Sequence, residues 1–160
     1  MSYFCHIERH AAINMNNGRT ITRSAYDVLE LARQDAEMYL NPYVTPEHVL
    51  FQVESSGIFK HILEHNSMNP FFFRERLGLF LSSLSSVQLT PEYAPRISDS
   101  LRFAIEMAIE DVAAGNDNPI GVPQLLIGIS QLKDSLAGYL LRKYPEVIQD
   151  AGVPITVHSG

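Results

Sequence analysis

AYDVLELARQDAEMYLNPYVTPEHVLFQV, residues 25–53, and LRFAIEMAIEDVAAGNDNPIGVPQLLIGI, residues 101–129, decide the fold. The first stretch places Ala25, Val28, Leu29, Ala32, Ala36 and Tyr39 at the three- and four-residue spacing of one helix face. Asn41-Pro42 ends that helix, because the residue before a proline is driven out of the α conformation. Thr45-Pro46-Glu47 opens the next one. Thr is a good N-cap, Pro at the first helical position has no N–H to satisfy, and Glu suits the positive end of the helix dipole. Val49, Leu50 and Val53 form its apolar face. In the second stretch Leu101, Ala104, Ile105, Ala108 and Val112 repeat the first face at a constant offset of 76 positions. At the same offset Leu125, Leu126 and Ile129 repeat Val49, Leu50 and Val53.

The pattern continues outward. Beyond Ser55-Ser56-Gly57 a third helix carries Ile58, Phe59, Ile62 and Leu63. Two extra residues intervene before the counterparts Leu136, Leu140 and Leu141. Asn69-Pro70 starts a fourth helix, with Phe73, Leu77, Phe80, Leu81 and Leu84 inward. An internal repeat of this length is a strong organisational signal. The expected fold class is therefore all-α: two tandem, pseudo-twofold-related four-helix repeats packed into one compact domain. Residues 1–22 read as a flexible polar extension, 23–84 as repeat one, 85–96 as a Ser-, Thr- and Pro-punctuated linker, and 97–160 as repeat two. Neither repeat is large enough to bury its apolar faces well alone, so packing the two together completes the core.

Composition narrows the function. A formal net charge of −6 argues against nucleic acid, whose phosphates call for a basic excess. No helix has a Lys/Arg-rich face and no apolar run approaches the ~18 residues of a membrane span, so no membrane partner is expected. Cys5 is the only cysteine, so no intrachain disulfide forms, and the polar N-terminus does not resemble a signal peptide. The cytoplasm is the expected compartment. Cys5, His6 and His10 fall short of the donor set a zinc site needs, and neither a metal nor a cofactor is expected. Phe71-Phe72-Phe73 must turn at least one ring away from the core, and the others are expected to pack under the linker. Glu106, Glu110 and Asp111 read as a solvated helix face. There is no Glu-x-x-His pair for a di-iron bundle and no G-x-x-x-x-G-K-[ST] phosphate loop. A non-catalytic, protein-binding role remains.

The repeated helices, with Val44-Thr45-Pro46-Glu47-His48-Val49-Leu50 and Tyr139-Leu140-Leu141-Arg142-Lys143, resemble the N-terminal domain of the Clp ATPases, ClpA and ClpC type. The resemblance covers roughly residues 20–160. It implies a protein-binding module in front of AAA+ ATPase rings that docks ClpS-like adaptors, substrate polypeptides or both for unfolding and proteolysis. It also leaves open a stand-alone regulator that competes for such adaptors with no ATPase attached. ClpC-type domains can recognise phosphorylated arginine through the Glu at the start of each second helix. Here Glu47 and His48 match that motif, but repeat two has Pro123 where the second Glu would stand, so a symmetric pair of such pockets is not expected. Pseudo-twofold packing would bring the start of the second helix near the linker entering repeat two. That gathers Tyr43, Glu47, His48, Arg96 and Ser98 as the expected protein-binding site, with Glu47 exposed and accepting a charge-assisted hydrogen bond.

Overall fold

A computed structural model describes residues 13–14, 20–57, 63–65, 67–69, 71–115 and 119–151. In chain order the elements are β1 (Ile13–Asn14), β2 (Thr20–Ile21), α1 (Arg23–Met38), β3 (Tyr43–Val44) and α2 (Pro46–Ser55). After them come α3 (Phe72–Ser82), β4 (Arg96–Ile97), α4 (Asp99–Gly115), α5 (Val122–Ser130), α6 (Leu136–Lys143) and α7 (Glu146–Ala151). Residues 63–65 are also helical, with Leu63 fully buried. The fold is all-α in its layers, and the strands are two-residue staples.

The offset of 76 seen in the sequence is obeyed by the structure. Thr22 caps α1 by accepting from the Ala25 N–H at 3.1 Å, and Ser98 accepts from the Leu101 N–H at 3.1 Å at the equivalent place in α4. β3 and β4 pair in parallel, Tyr43 with Arg96 and Val44 with Ile97. The matching bridge joins Ile21 to Ile120 in parallel. Its bond from the Thr22 N–H to the Ile120 carbonyl (2.9 Å) is the image of that from the Ser98 N–H to the Val44 carbonyl (3.0 Å). Each repeat thus sends one short strand into the other, and the two crossings are related by the pseudo-twofold.

This corrects the N-terminal boundary. Residues 20–22, expected within the polar extension, are built into the fold: Ile21 is fully buried, Thr22 caps α1, and β1 pairs with β2 in an antiparallel ladder. The physical reason is the crossing itself, which needs a strand ahead of α1 just as β4 precedes α4.

One apolar core runs through both repeats. It contains Ala25, Val28, Leu29, Ala32 and Ala36 from α1, and Leu101, Ala104, Ile105 and Ala108 from α4. Val49, Leu50 and Val53 of α2 join it with Leu125, Leu126 and Ile129 of α5. Fully burying a Leu or Val side chain contributes about 1.5–3 kcal/mol relative to leaving it in water. The Phe71–Phe73 run divides as helix geometry requires: Phe71 is exposed, Phe72 half-buried and Phe73 buried. Phe72 and Phe73 pack edge-on against Tyr144, with ring centroids 5.2 and 5.8 Å apart, which ties α3 to the end of α6. Glu106 and Glu110 are exposed, as a solvated face should be. Cys5, His6, His10 and the side chains of Asp111 and Val112 lie outside the described residues. Among the described residues no helix is long and apolar enough to cross a membrane.

Candidate functional site

The expected site residues lie around the corner where α1 turns into β3 and α2. α1 stops because Leu40 adopts a left-handed conformation, φ 55°. The Asn41 N–H then returns to the Ala36 carbonyl (2.8 Å) and the Leu40 N–H to the Glu37 carbonyl (3.1 Å). This is the bonding pattern of a glycine-terminated helix, made here with leucine at a steric cost of about 1–2 kcal/mol. Residues 85–96 hold the corner in place. Ser86 donates to the Tyr39 carbonyl (2.8 Å), and the Val87 N–H donates to the Leu40 carbonyl (2.8 Å). The Tyr93 hydroxyl lies between the carbonyls of Ala36 (3.1 Å) and Asn41 (2.7 Å). A segment that reads in sequence as a plain linker is in fact a strap, and Tyr93 is the residue that periodicity could not reveal.

His48 closes the inner side of the corner. The Thr45 N–H donates to its Nδ1 at 3.0 Å, and Thr45 Oγ1 accepts from the His48 N–H at 3.3 Å, forming a reciprocal cap on α2. With Nδ1 accepting, the proton sits on Nε2 and is donated to Asn41 Oδ1 at 3.0 Å. His48 is only 2% exposed, and burial lowers its pKa to about 4 despite the opposing charge of Glu47. It is a neutral structural residue at pH 7.

Glu47 requires the main correction. Expected to be exposed, it is only 4% exposed. Its Oε2 accepts from the Ser135 hydroxyl at 2.7 Å and from the Ala137 N–H at 3.0 Å. The carboxylate therefore caps the first turn of α6 in the other repeat, where helix N–H groups lack partners of their own. A first-turn Glu is normally solvated; here α6 is packed across the start of α2 and takes it up. No reciprocal bond is available from repeat two, since Pro123 has no side-chain acceptor. Gln124, the counterpart of His48, takes over the local role, accepting from the Gly121 N–H at 2.8 Å.

Of the five expected residues, the structure leaves two on the surface and free of an internal task. Tyr43 is 51% exposed and Arg96 is exposed. They are direct partners in the parallel β3–β4 register. Ser98 is half-buried and occupied as the α4 cap. Around Tyr43 and Arg96 the same corner and strap expose Met38, Tyr39, Val87 and Leu89. A separate open groove of about 410 Å³ lies along α1 and the end of α2, with Val28, Leu31 and Val122 supplying its apolar lining.

Comparison with known proteins fits this architecture. The sequence model described as the Clp repeat (R) N-terminal domain matches residues 20–144. Among solved structures, the chain is similar to the Hsp104 N-terminal domain from Candida albicans, with TM-score 0.68 and 16% identity over 82% of this chain and 88% of that one. It is similar to the N-terminal domain of the caseinolytic protease associated chaperone ClpD from Arabidopsis thaliana, with TM-score 0.54 and 16% identity over 88% and 95% of the two chains. It is also similar to the ClpV N-domain in its complex with a VipB peptide, with TM-score 0.60 and 14% identity over 84% and 90%. A search of curated proteins gave no match. The structural likenesses bear on fold; the sequence match, which begins at the residue where β2 begins, spans most of the chain. The chain belongs to the Clp repeat N-terminal domain family.

Proposed function

We propose that this chain is the protein-binding module of a Clp-type AAA+ unfoldase, with no catalysis of its own. It docks a ClpS-like adaptor or a substrate polypeptide that is to be unfolded and degraded. The ATPase modules it serves lie outside these 160 residues, which hold no phosphate-binding loop. The observation that carries the reading is the exposed Tyr43–Arg96 pair, fixed in register by β3 and β4 and flanked by exposed apolar side chains. Aromatic and arginine side chains are the types that dominate binding energy at protein interfaces. The ClpV N-domain in complex with a VipB peptide offers a precedent for peptide capture on this fold. The groove beside α1 offers a substrate segment an apolar lining of its own.

The test is calorimetric titration with a ClpS-like adaptor from the same source. Arg96→Glu and Tyr43→Ala should each weaken binding about tenfold or more, which is ~1.4 kcal/mol. Their melting temperatures should stay close to the parent's, because both side chains face solvent. Undiminished affinity in both variants would remove this corner from the interface. Failure of every such adaptor to bind the parent would leave substrate capture as the function.

A further inference from the structure

A second surface lies on other elements, where α3 meets α6. Its groups form a ladder of cations and rings. The Arg76 guanidinium stands 5.3 Å from the Phe72 ring centroid. Phe72 meets Tyr144 edge-on at 5.2 Å. The Lys143 ammonium is 5.8 Å from the Tyr144 ring and 5.7 Å from that of Tyr139. Arg76 and Lys143 are exposed, Tyr139 is 49% exposed, and Phe72 and Tyr144 are half-buried. Among the described residues neither cation has a carboxylate within ion-pair distance; the ion pairs there belong to Arg23 and Arg33 on α1.

The chain as a whole is acidic, with net charge −6 and carboxylates outnumbering cations 18 to 12. Two unpaired cations held over rings, with half-exposed apolar area between them, make a surface complementary to negative charge and to apolar side chains together. We propose that the α3–α6 ladder is a docking surface for an acidic polypeptide segment of a partner protein, one that carries aromatic or aliphatic residues among its carboxylates. Carboxylates of the segment meet Arg76 and Lys143, and its apolar side chains lie on Phe72, Tyr139 and Tyr144. Rings beside cations also suit single-stranded nucleic acid. Two cations on an acidic molecule cannot supply the phosphate neutralisation on which such binding depends, so the polypeptide is favoured.

The experiment uses the full chain and a fluorescein-labelled peptide of four Glu-Glu-Phe repeats, followed by anisotropy at low and moderate salt. Controls are a Lys-Lys-Phe peptide of equal length and a single-stranded oligonucleotide. The acidic peptide should bind at least tenfold more tightly than either control, and its affinity should fall as salt rises. The double variant Arg76→Glu/Lys143→Glu should lower that affinity at least tenfold. Arg102→Glu, an exposed cation on α4, should not, and nor should Arg96→Glu, which keeps this surface distinct from the Tyr43–Arg96 corner. If the double variant melts abnormally, the milder pair Arg76→Gln/Lys143→Gln replaces it and should lower affinity severalfold. Equal binding of the basic peptide, equal or tighter binding of the oligonucleotide, or unchanged affinity in a folded ladder variant would overturn the proposal.

Discussion

His48 shows how a surface-motif residue becomes a pH-sensitive structural one. Its ring is buried between Thr45 and Asn41, accepting from one and donating to the other, and only the neutral form can do both. Its folded-state pKa is about 4, against 6.5 when unperturbed. Between those values the unfolded chain binds a proton that the folded chain refuses. The stabilisation is therefore complete above about pH 6.5, is lost progressively as the pH falls, and levels off below about pH 4; at its fullest it amounts to ~3 kcal/mol. Urea titrations at pH 7, 5.5 and 4.5 should show this loss. His48→Gln places here the side chain that Gln124 already uses at the equivalent capping position. It should fold within about 1 kcal/mol of the parent at pH 7, one hydrogen bond's worth, and show a shallower acid loss. Parallel pH curves for parent and variant would mean that other groups carry the acid sensitivity.

At the scale of elements, the two repeats use one helix pair in two ways. In repeat one, α1 and α2 are linked by Gln52, whose amide donates to the Asp35 carboxylate. Burial raises the Asp35 pKa, while that bond pulls it back down. Seventy-six positions on, Gln52 is replaced by Gly128. There α5 lies so close to α4 that a Cβ on residue 128 would overlap the Ala104 carbonyl oxygen. The glycine is required by this close approach and not by its own backbone angle. Gly128→Ala would have to push the two helices apart in the most closely packed part of repeat two. It should cost at least 1–3 kcal/mol, the usual range for overpacking, although alanine has the better helix propensity. Chemical denaturation measures it directly, and a neutral or stabilising result would show that α4 and α5 can separate without loss.

At the scale of the whole molecule, the repeats are joined by one core, two strand crossings and the carboxylate of Glu47. Removing that carboxylate leaves the half-buried Ser135 hydroxyl and the buried Ala137 N–H without their acceptor. Glu47→Ala should therefore cost about 2–4 kcal/mol, whereas an exposed first-turn Glu would cost a fraction of that. Leu50→Ala and Leu126→Ala, at equivalent and fully buried positions, should each cost about 2–5 kcal/mol. All three variants should unfold in a single transition, with far-UV circular dichroism and tyrosine fluorescence coinciding. Two separated transitions in any of them would show that the repeats fold independently.

The sequence alone determined the helices, their order and their pairing into repeats. Periodic burial is written in the spacing of residues such as Val49, Leu50 and Val53, and a constant offset survives any detail of packing. It also held a signal for the start of the fold, because Ile21 and Thr22 match Ile97 and Ser98 at the same offset of 76. It marked Tyr43 and Arg96 as neighbours through the expected pseudo-twofold, and the β3–β4 register places them side by side. What it could not determine was which polar side chains remain free. Glu47 and His48 have the sequence context of surface residues, and both are buried, Glu47 by the start of α6 far along the chain and His48 against Asn41 across the turn from α1 into α2. Tyr93 and the Arg76–Lys143 ladder depend in the same way on segments brought together only by folding. Local propensity and periodicity are properties of neighbours along the chain, whereas exposure and hydrogen-bond partnership are properties of neighbours in space, and only the tertiary structure decides those.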